Sequence, residues 1–248
     1  MEQSSSKGRR VAFFGGSFDP PHLGHLAVAR AARAALALDE VLFAPVGAQP
    51  LKPAGSTASF EDRVAMTRLA IAEVPGFSVS LIDAPKPGLA PNYTWNTLLS
   101  LRAGLLPDGS LFCLMGADSL LSLRHWHRAA EIPFVAPLVV ASRPGQPLDD
   151  LVAALPEGLY LEPSPGSLPS GLASFAAGIE LRTVLLRNPA HETALLYLLP
   201  GLYIDISASQ IRDQIQEQLR DSAGSAPLEP RLLPASVLDY IRARGLYR

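Results

Sequence analysis

The sequence predicts an α/β protein: a parallel sheet with helices on both faces. Three observations carry that expectation. Short strand-like apolar runs alternate with helix-like segments along most of the chain, the pattern of repeated strand–helix–strand units. One run, Leu111–Met115, is apolar at every position, as a strand covered on both faces must be, whereas a half-exposed strand alternates. Residues 11–26, VAFFGGSFDPPHLGHL, pass from a strand through a Gly-rich break into a helix start. There, unpaired N–H groups and the positive end of the helix dipole favour a phosphate.

Val11-Ala12-Phe13-Phe14 is the first strand, broken by Gly15-Gly16-Ser17, and Asp19-Pro20-Pro21 sets a turn. Proline suits a helix entry, where its missing N–H would have no partner. A helix is predicted over Leu23–Leu38, then a strand over Glu40–Ala44 and a loop, PVGAQPLKPAGSTAS. Ser59 is the expected N-cap of the next helix, with Asp62 at the N3 position of a capping box. That helix runs to about Glu73, where Pro75-Gly76 stops it. Phe77–Ile82 alternates as a third strand. Tyr93–Arg102 reads as a helix stopped by Gly104, Leu111–Met115 as a strand, His125–Glu131 as a short helix and Leu138–Ala141 as a fifth strand. From 144 to 180, Pro144, Pro147, Pro156, Pro163, Pro165 and Pro169 alternate with Gly and Ser. This predicts a mobile excursion with one helical turn near Leu148–Leu155. Leu181–Leu186 is a returning strand. Ser207-Ala208-Ser209 caps a helix within Asp205–Leu219 that carries Ile211, Ile215 and Leu219 on one face. After a Pro/Gly/Ser linker, Ala235–Arg244 closes as an amphipathic helix. The expected organisation is a disordered tail over 1–8 and one domain over 9–248, with helices from about 205 onward.

Composition narrows the class. The 248 residues are 48% hydrophobic and 18% charged, enough for a large core. A formal net charge of −2 argues against a dedicated nucleic-acid surface. The single cysteine, Cys113, cannot form an internal disulfide and sits in an apolar run, so a buried inert thiol is expected, as suits a reducing cytoplasm. The first eight residues, MEQSSSKG, lack the apolar stretch of a signal peptide. The longest apolar run, Ala194–Ile204, is interrupted by Pro200-Gly201 and is too short to span a membrane. No membrane partner is expected, and a homo-oligomer is compatible with the sequence.

Two of the five histidines, His22 and His25, stand three apart at the first helix start. At that spacing their imidazoles share a face and can donate to phosphoryl oxygens as charge builds there. A lone histidine would be read as a cap or a packed ring; the block GGSFDPPHLGH after a strand points to phosphoryl chemistry. No Cys or carboxylate cluster joins the pair to make a metal site. In such sheets ligands lie beyond the carboxyl ends of the strands, where Gly15–Ser17, Lys52, Gly116–Asp118 and Arg143 all fall.

GGSFDPPHLGH resembles the His-x-Gly-His signature of the nucleotidyltransferase superfamily, and its longer form is similar to bacterial nicotinate-nucleotide adenylyltransferases. Later stretches match in order: Tyr93-Thr94-Trp95-Asn96-Thr97-Leu98; Met115-Gly116-Ala117-Asp118-Ser119-Leu120 with Leu123, Trp126 and Glu131-Ile132; Ser142-Arg143-Pro144-Gly145; and Ile206-Ser207-Ala208-Ser209-Gln210-Ile211-Arg212. Each later motif is weak alone; the ordered set is specific. The resemblance implies a Rossmann-like fold of nucleotidyltransferase type, and transfer of the adenylyl group of ATP to nicotinate mononucleotide, with Mg²⁺ accompanying ATP. It implies catalytic roles for His22, His25, Lys52 and Arg212. It assigns Gly15, Gly16, Ser17, Phe18, Gly116, Asp118, Arg143, Ile206, Ser207 and Ser209 to ATP, and Tyr93, Thr94 and Trp126 to the nicotinate nucleotide. Bland readings accompany these: Ser207 as a mere cap, Asp118 as another cap, Trp126 as core, Lys52 and Arg212 as solvated. Leu51 and Asn96 depart from the family's usual His and Asp. The alternatives are an adenylyltransferase for nicotinamide mononucleotide or another phosphate acceptor, and a non-catalytic nucleotide-binding module.

Overall fold

The computed structural model describes residues 8–52, 54–142, 153–162, 174–176, 178–202, 207–220 and 232–248. The chain divides into two compact units: Met1–Phe14, Ala31–Leu42 and Tyr93–Leu202 form the first, and Gly15–Arg30, Phe43–Asn92 and Tyr203–Arg248 the second. The boundary cuts β1 (Arg10–Gly16) after Phe14, α1 (Leu23–Ala35) after Arg30 and β2 (Glu40–Pro45) after Leu42.

The first unit is a sheet with α3 (Thr94–Ala103) leading into β4 (Ser110–Gly116), α4 (Ala117–Ser122), a short turn α5 (Ile132–Val135) and β5 (Leu138–Ala141). Beyond these come β6 (Tyr160–Leu161), β7 (Ser174–Ala176), β8 (Ile179–Arg187) and β9 (Thr193–Leu199). From β2 onward the strand order is β2-β1-β4-β5-β9-β8-β6, with β7 on β8. β1, β4, β5 and β9 are parallel, in a register that sets Phe14 beside Leu114, Leu114 beside Val139 and Val139 beside Tyr197. Leu111 to Met115 are each 6% exposed or less. Successive strand side chains point to opposite faces, so this strand is covered on both, as its unbroken apolar run predicts. Cys113 is a buried free thiol whose pKa burial pushes up to about 12.

Several elements differ from expectation. α1 ends at Ala35 rather than Leu38, because Ala37 adopts a left-handed conformation with φ 48°. The His125–Glu131 helix is two separate 3₁₀ turns, Leu123–His125 and Ala129–Glu131, interrupted where Arg128 takes φ 53°. β9 was not expected; its apolar run pairs parallel with β5 and antiparallel with β8. The proline-rich stretch is not loop throughout: β6 and β7 both pair with β8, and Ala154 and Leu159 are buried. The helical turn near Leu148–Leu155 lies almost wholly outside the described residues.

The second unit holds the first half of α1, α2 (Phe60–Ile71), β3 (Phe77–Val79), α6 (Ala208–Arg220) and α7 (Ala235–Arg244). Ser59 caps α2 as expected, its hydroxyl accepting from the Asp62 N–H at 3.0 Å. The other half of the box is altered, since the Asp62 carboxylate accepts from the Ser59 hydroxyl at 2.7 Å. Tyr240 donates to the same carboxylate at 2.8 Å and Arg244 lies 3.4 Å from it, which ties α7 to α2. β3 stops at Val79, and the Ser80 hydroxyl accepts from the Ile82 N–H at 3.2 Å, turning the chain. α6 begins with a complete capping box: Ser207 Oγ accepts from Gln210 N–H at 3.2 Å and Gln210 Oε1 from Ser207 N–H at 2.9 Å. No helix among the described residues is long and apolar enough to cross a membrane.

Candidate active site

The His-x-Gly-His segment is a helix cap built of imidazole. His22 is the residue before α1, and its carbonyl accepts from the His25 N–H at 3.0 Å. His25 Nδ1 in turn accepts from the His22 backbone N–H at 3.2 Å. This is the reciprocal logic of a capping box, with His in place of Glu at N3. The bond fixes the tautomer: an Nδ1 that accepts carries no proton, so the neutral His25 ring holds its hydrogen on Nε2. The two rings lie 3.8 Å apart, tilted by 34°. His25 also meets the Phe18 ring edge-on at 5.0 Å.

His22 is 7% exposed, and its Nδ1 is buried without a hydrogen-bond partner. Burial pulls its pKa down to about 4. His25 is lowered well below 6.5, by burial first and then by His22. Both rings are therefore neutral at neutral pH, so each carries one N–H donor and one acceptor nitrogen.

The turn before the histidines is anchored through Asp19, which is 5% exposed. Its carboxylate accepts from Thr57 N–H at 2.6 Å, Ala58 N–H at 3.1 Å and the Tyr247 hydroxyl at 2.8 Å. Arg212 donates to the Asp19 carbonyl at 2.7 Å and stands 4.0 Å from its carboxylate. Arg63, 2% exposed on α2, donates to the Ser17 carbonyl at 2.7 Å. Burial works against its charge and Asp19 supports it. Lys52 Nζ is 3.3 Å from Ser17 Oγ, which itself donates to Gln49 at 2.9 Å. Within the second unit, then, Gly15 and Gly16 end β1, and Ser17, Phe18, His22, His25, Lys52 and Arg212 lie on or against the turn that follows it. Ser207 is the α6 cap, with its hydroxyl 3.4 Å from that of Ser209. Arg212 is not merely solvated, because it holds the turn.

In the first unit, Tyr93 precedes α3 without capping it through its side chain, and Thr94 is the first helical residue. The Tyr93 ring lies 4.5 Å from His127. Trp126 is half-buried rather than a core residue, and its indole N–H donates to Ser122 at 3.3 Å. Gly116 ends β4 and is the N-cap of α4, so Asp118 sits in the first turn instead of capping. Arg143 and Ile206 lie outside the described residues.

Sequence reasoning missed Asp19 as the anchor, Arg63 and Tyr247 as its supports, and the aromatic neighbours of Tyr93. Arg128 stacks 3.9 Å over the Trp95 ring and pairs with Glu131 at 2.6 Å. One signal was available for Arg63: it lies one turn from Met66 and Thr67, on the buried stripe of α2. Tyr247 left none, standing one residue from the end of the chain. Among the described residues, no group of three or more His, Cys, Asp or Glu is placed to hold a metal.

A parallel sheet with a glycine-rich turn and an imidazole-capped helix start is the architecture of a nucleotidyltransferase. The cytidylyltransferase-like family model accordingly matches residues 13–214. A probable nicotinate-nucleotide adenylyltransferase of Gloeobacter violaceus is 36% identical over 240 residues, covering 97% of each chain. One from Aeromonas salmonicida is 39% identical over 241 residues, covering 96% of this chain and 97% of its own. The chain belongs to the nicotinate-nucleotide adenylyltransferase family. The fold is also that of the Plasmodium falciparum nicotinic acid mononucleotide adenylyltransferase complexed with APC, at a TM-score of 0.63, 13% identity and coverage of 96% of this chain and 97% of that one. The same Plasmodium enzyme complexed with NaAD aligns at a TM-score of 0.61 and 14% identity, with the same coverage.

Proposed function

We infer that this protein transfers the adenylyl group of ATP to nicotinate mononucleotide, giving nicotinate adenine dinucleotide and pyrophosphate, a step of NAD biosynthesis. The observation that carries the reading is the stacked, neutral His22–His25 pair at the start of α1, with a buried and unpartnered nitrogen on His22. A phosphate of the acceptor nucleotide attacks the α-phosphorus of ATP in line. A new P–O bond forms to that oxygen, the bond to the β-phosphate bridge breaks, and pyrophosphate carries away the electron pair. The attacking phosphate is already ionised, so no strong base is needed, and catalysis is positioning and charge stabilisation. His22 and His25 donate to the phosphoryl oxygens, while Lys52 and Arg212 hold the triphosphate.

Gly15, Gly16, Ser17 and Phe18 provide the turn against the phosphates. Gly116, Asp118, Arg143, Ile206, Ser207 and Ser209 complete the ATP contacts in this reading. Tyr93, Thr94 and Trp126 receive the pyridine end, with the half-buried indole of Trp126 as a flat wall. ATP enters as its Mg²⁺ complex, the ion held mainly by phosphates and waters. A cytoplasmic setting belongs to the same reading, supported by the buried thiol of Cys113.

Pyrophosphate release with nicotinate mononucleotide, nicotinamide mononucleotide and phosphopantetheine, with products identified by mass, tests the assignment. Turnover with nicotinate mononucleotide is expected. Release with phosphopantetheine alone overturns the acceptor, and release with none reduces the chain to a nucleotide-binding module.

A further inference from the structure

The chain's penultimate residue reaches the turn that carries the histidines. α7 ends at Arg244; Gly245 adopts φ 61°, and the Leu246 N–H returns to the Ile241 carbonyl at 3.0 Å. This reversal delivers Tyr247, 5% exposed, to the Asp19 carboxylate at 2.8 Å and to Met66 Sδ at 4.0 Å.

We propose that Tyr247 is a positioning residue for adenylyl transfer: its hydroxyl latches the Asp19 carboxylate and, through it, the turn on which His22 stands. Three neighbours on the same anchor make this more than packing. Thr57 and Ala58 supply backbone donors to the carboxylate, and Arg212 holds the carbonyl of the same residue, so Asp19 is gripped at both ends. From Asp19 to His22 the chain runs through Pro20 and Pro21, whose rings fix two backbone torsions. Displacement of Asp19 is therefore passed on to His22 rather than absorbed. A catalytic imidazole misplaced by a fraction of an ångström loses transition-state stabilisation while leaving ground-state binding largely intact.

The proposal rests on the reading of His22 and His25 as the phosphate-contacting pair, and its test separates the two. Tyr247→Phe keeps the aromatic ring and removes the hydroxyl that reaches Asp19 and Met66. Relative to wild type, kcat should fall about tenfold, the size of one charge-assisted hydrogen bond, with KM for ATP and nicotinate mononucleotide within about twofold. Amide hydrogen exchange at His22, Thr57 and Ala58 should quicken by a similar factor, while amides in the middle of α1 stay unchanged. In an Asp19→Asn background, Tyr247→Phe should add less than about twofold, because the two act as one unit. A kcat within twofold of wild type, unchanged exchange at those amides, or a full additional loss on top of Asp19→Asn each overturns the latch. Absence of turnover in the wild-type protein overturns the function reading instead, and the exchange comparison still decides whether Tyr247 holds the turn.

Discussion

Two imidazoles stacked 3.8 Å apart, one of them 7% exposed, resist protonation because burial strips water from the charged form, and at His25 the neighbouring His22 adds to the effect. His22 is held at about 4 against an ordinary 6.5. The unfolded chain takes up this proton near pH 6.5, whereas the folded chain refuses it until about pH 4. The unfolded state thus binds more protons across that window, and stability falls as pH drops through it. At pH 5 the penalty is about 2 kcal/mol, equal to roughly 4–8 °C in Tm for a chain of this size. Thermal melts at pH 7 and 5 should show the drop in wild type and a shallower one in His22→Gln; equal slopes would refute the burial account. In turnover, His22→Ala and His25→Ala should each lower kcat by about 10²–10³ while weakening ATP binding far less, as loss of a preorganised donor does. Near-wild-type kcat in either variant would remove it from the phosphate. The histidines were legible in sequence because their spacing from the strand and glycine break is local. Asp19, Arg63 and Tyr247 were not, because the contacts that define them join residues up to 228 positions apart.

At the scale of elements, the parallel core was legible where burial is uniform and turns are short. β4 and β5 fall where their apolar runs placed them, α3 where Gly104 stops it and α7 over its amphipathic stretch, while β1 runs on through Gly15 and Gly16, where a break was expected. The errors lie where a local backbone choice overrode periodicity. Left-handed Ala37 shortened α1, and left-handed Arg128, held over Trp95, split a predicted helix. β9 was hidden because an apolar run carries no sign of which partner will pair with it. The C-terminal turn yields a prediction of this kind. Gly245 has φ 61°, a conformation that a side chain disfavours by about 1 kcal/mol or slightly more. Gly245→Ala should lower Tm by about 2–4 °C, and Gly245→Asn, which tolerates that conformation, by less. Equal melting of all three proteins would show that the turn is not strained by a side chain.

Acceptor choice is a property of the whole molecule, because it is read only in turnover. Nicotinate and nicotinamide mononucleotides have nearly the same shape and differ in one group, a carboxylate against a carboxamide. α3 starts at Thr94 with no side-chain cap from Tyr93, so its first-turn N–H groups and dipole favour an anion. A full negative charge makes those donors worth about twice as much as they are to a neutral acceptor. A carboxamide would turn an NH₂ toward them, leaving donors facing donors. The Tyr93–Leu98 stretch carries no acidic side chain to offset this, since Asn96 stands there and is exposed. The acid should therefore be preferred by at least about tenfold in kcat/KM, roughly 1.4 kcal/mol, which one lost hydrogen bond supplies. Trp126→Ala should weaken both acceptors alike, because a flat wall does not distinguish the substituents, while substitutions around Thr94 should move the ratio. Equal kcat/KM for the two mononucleotides in the wild-type protein would exclude acid selectivity at α3 and leave adenylyl transfer itself untouched.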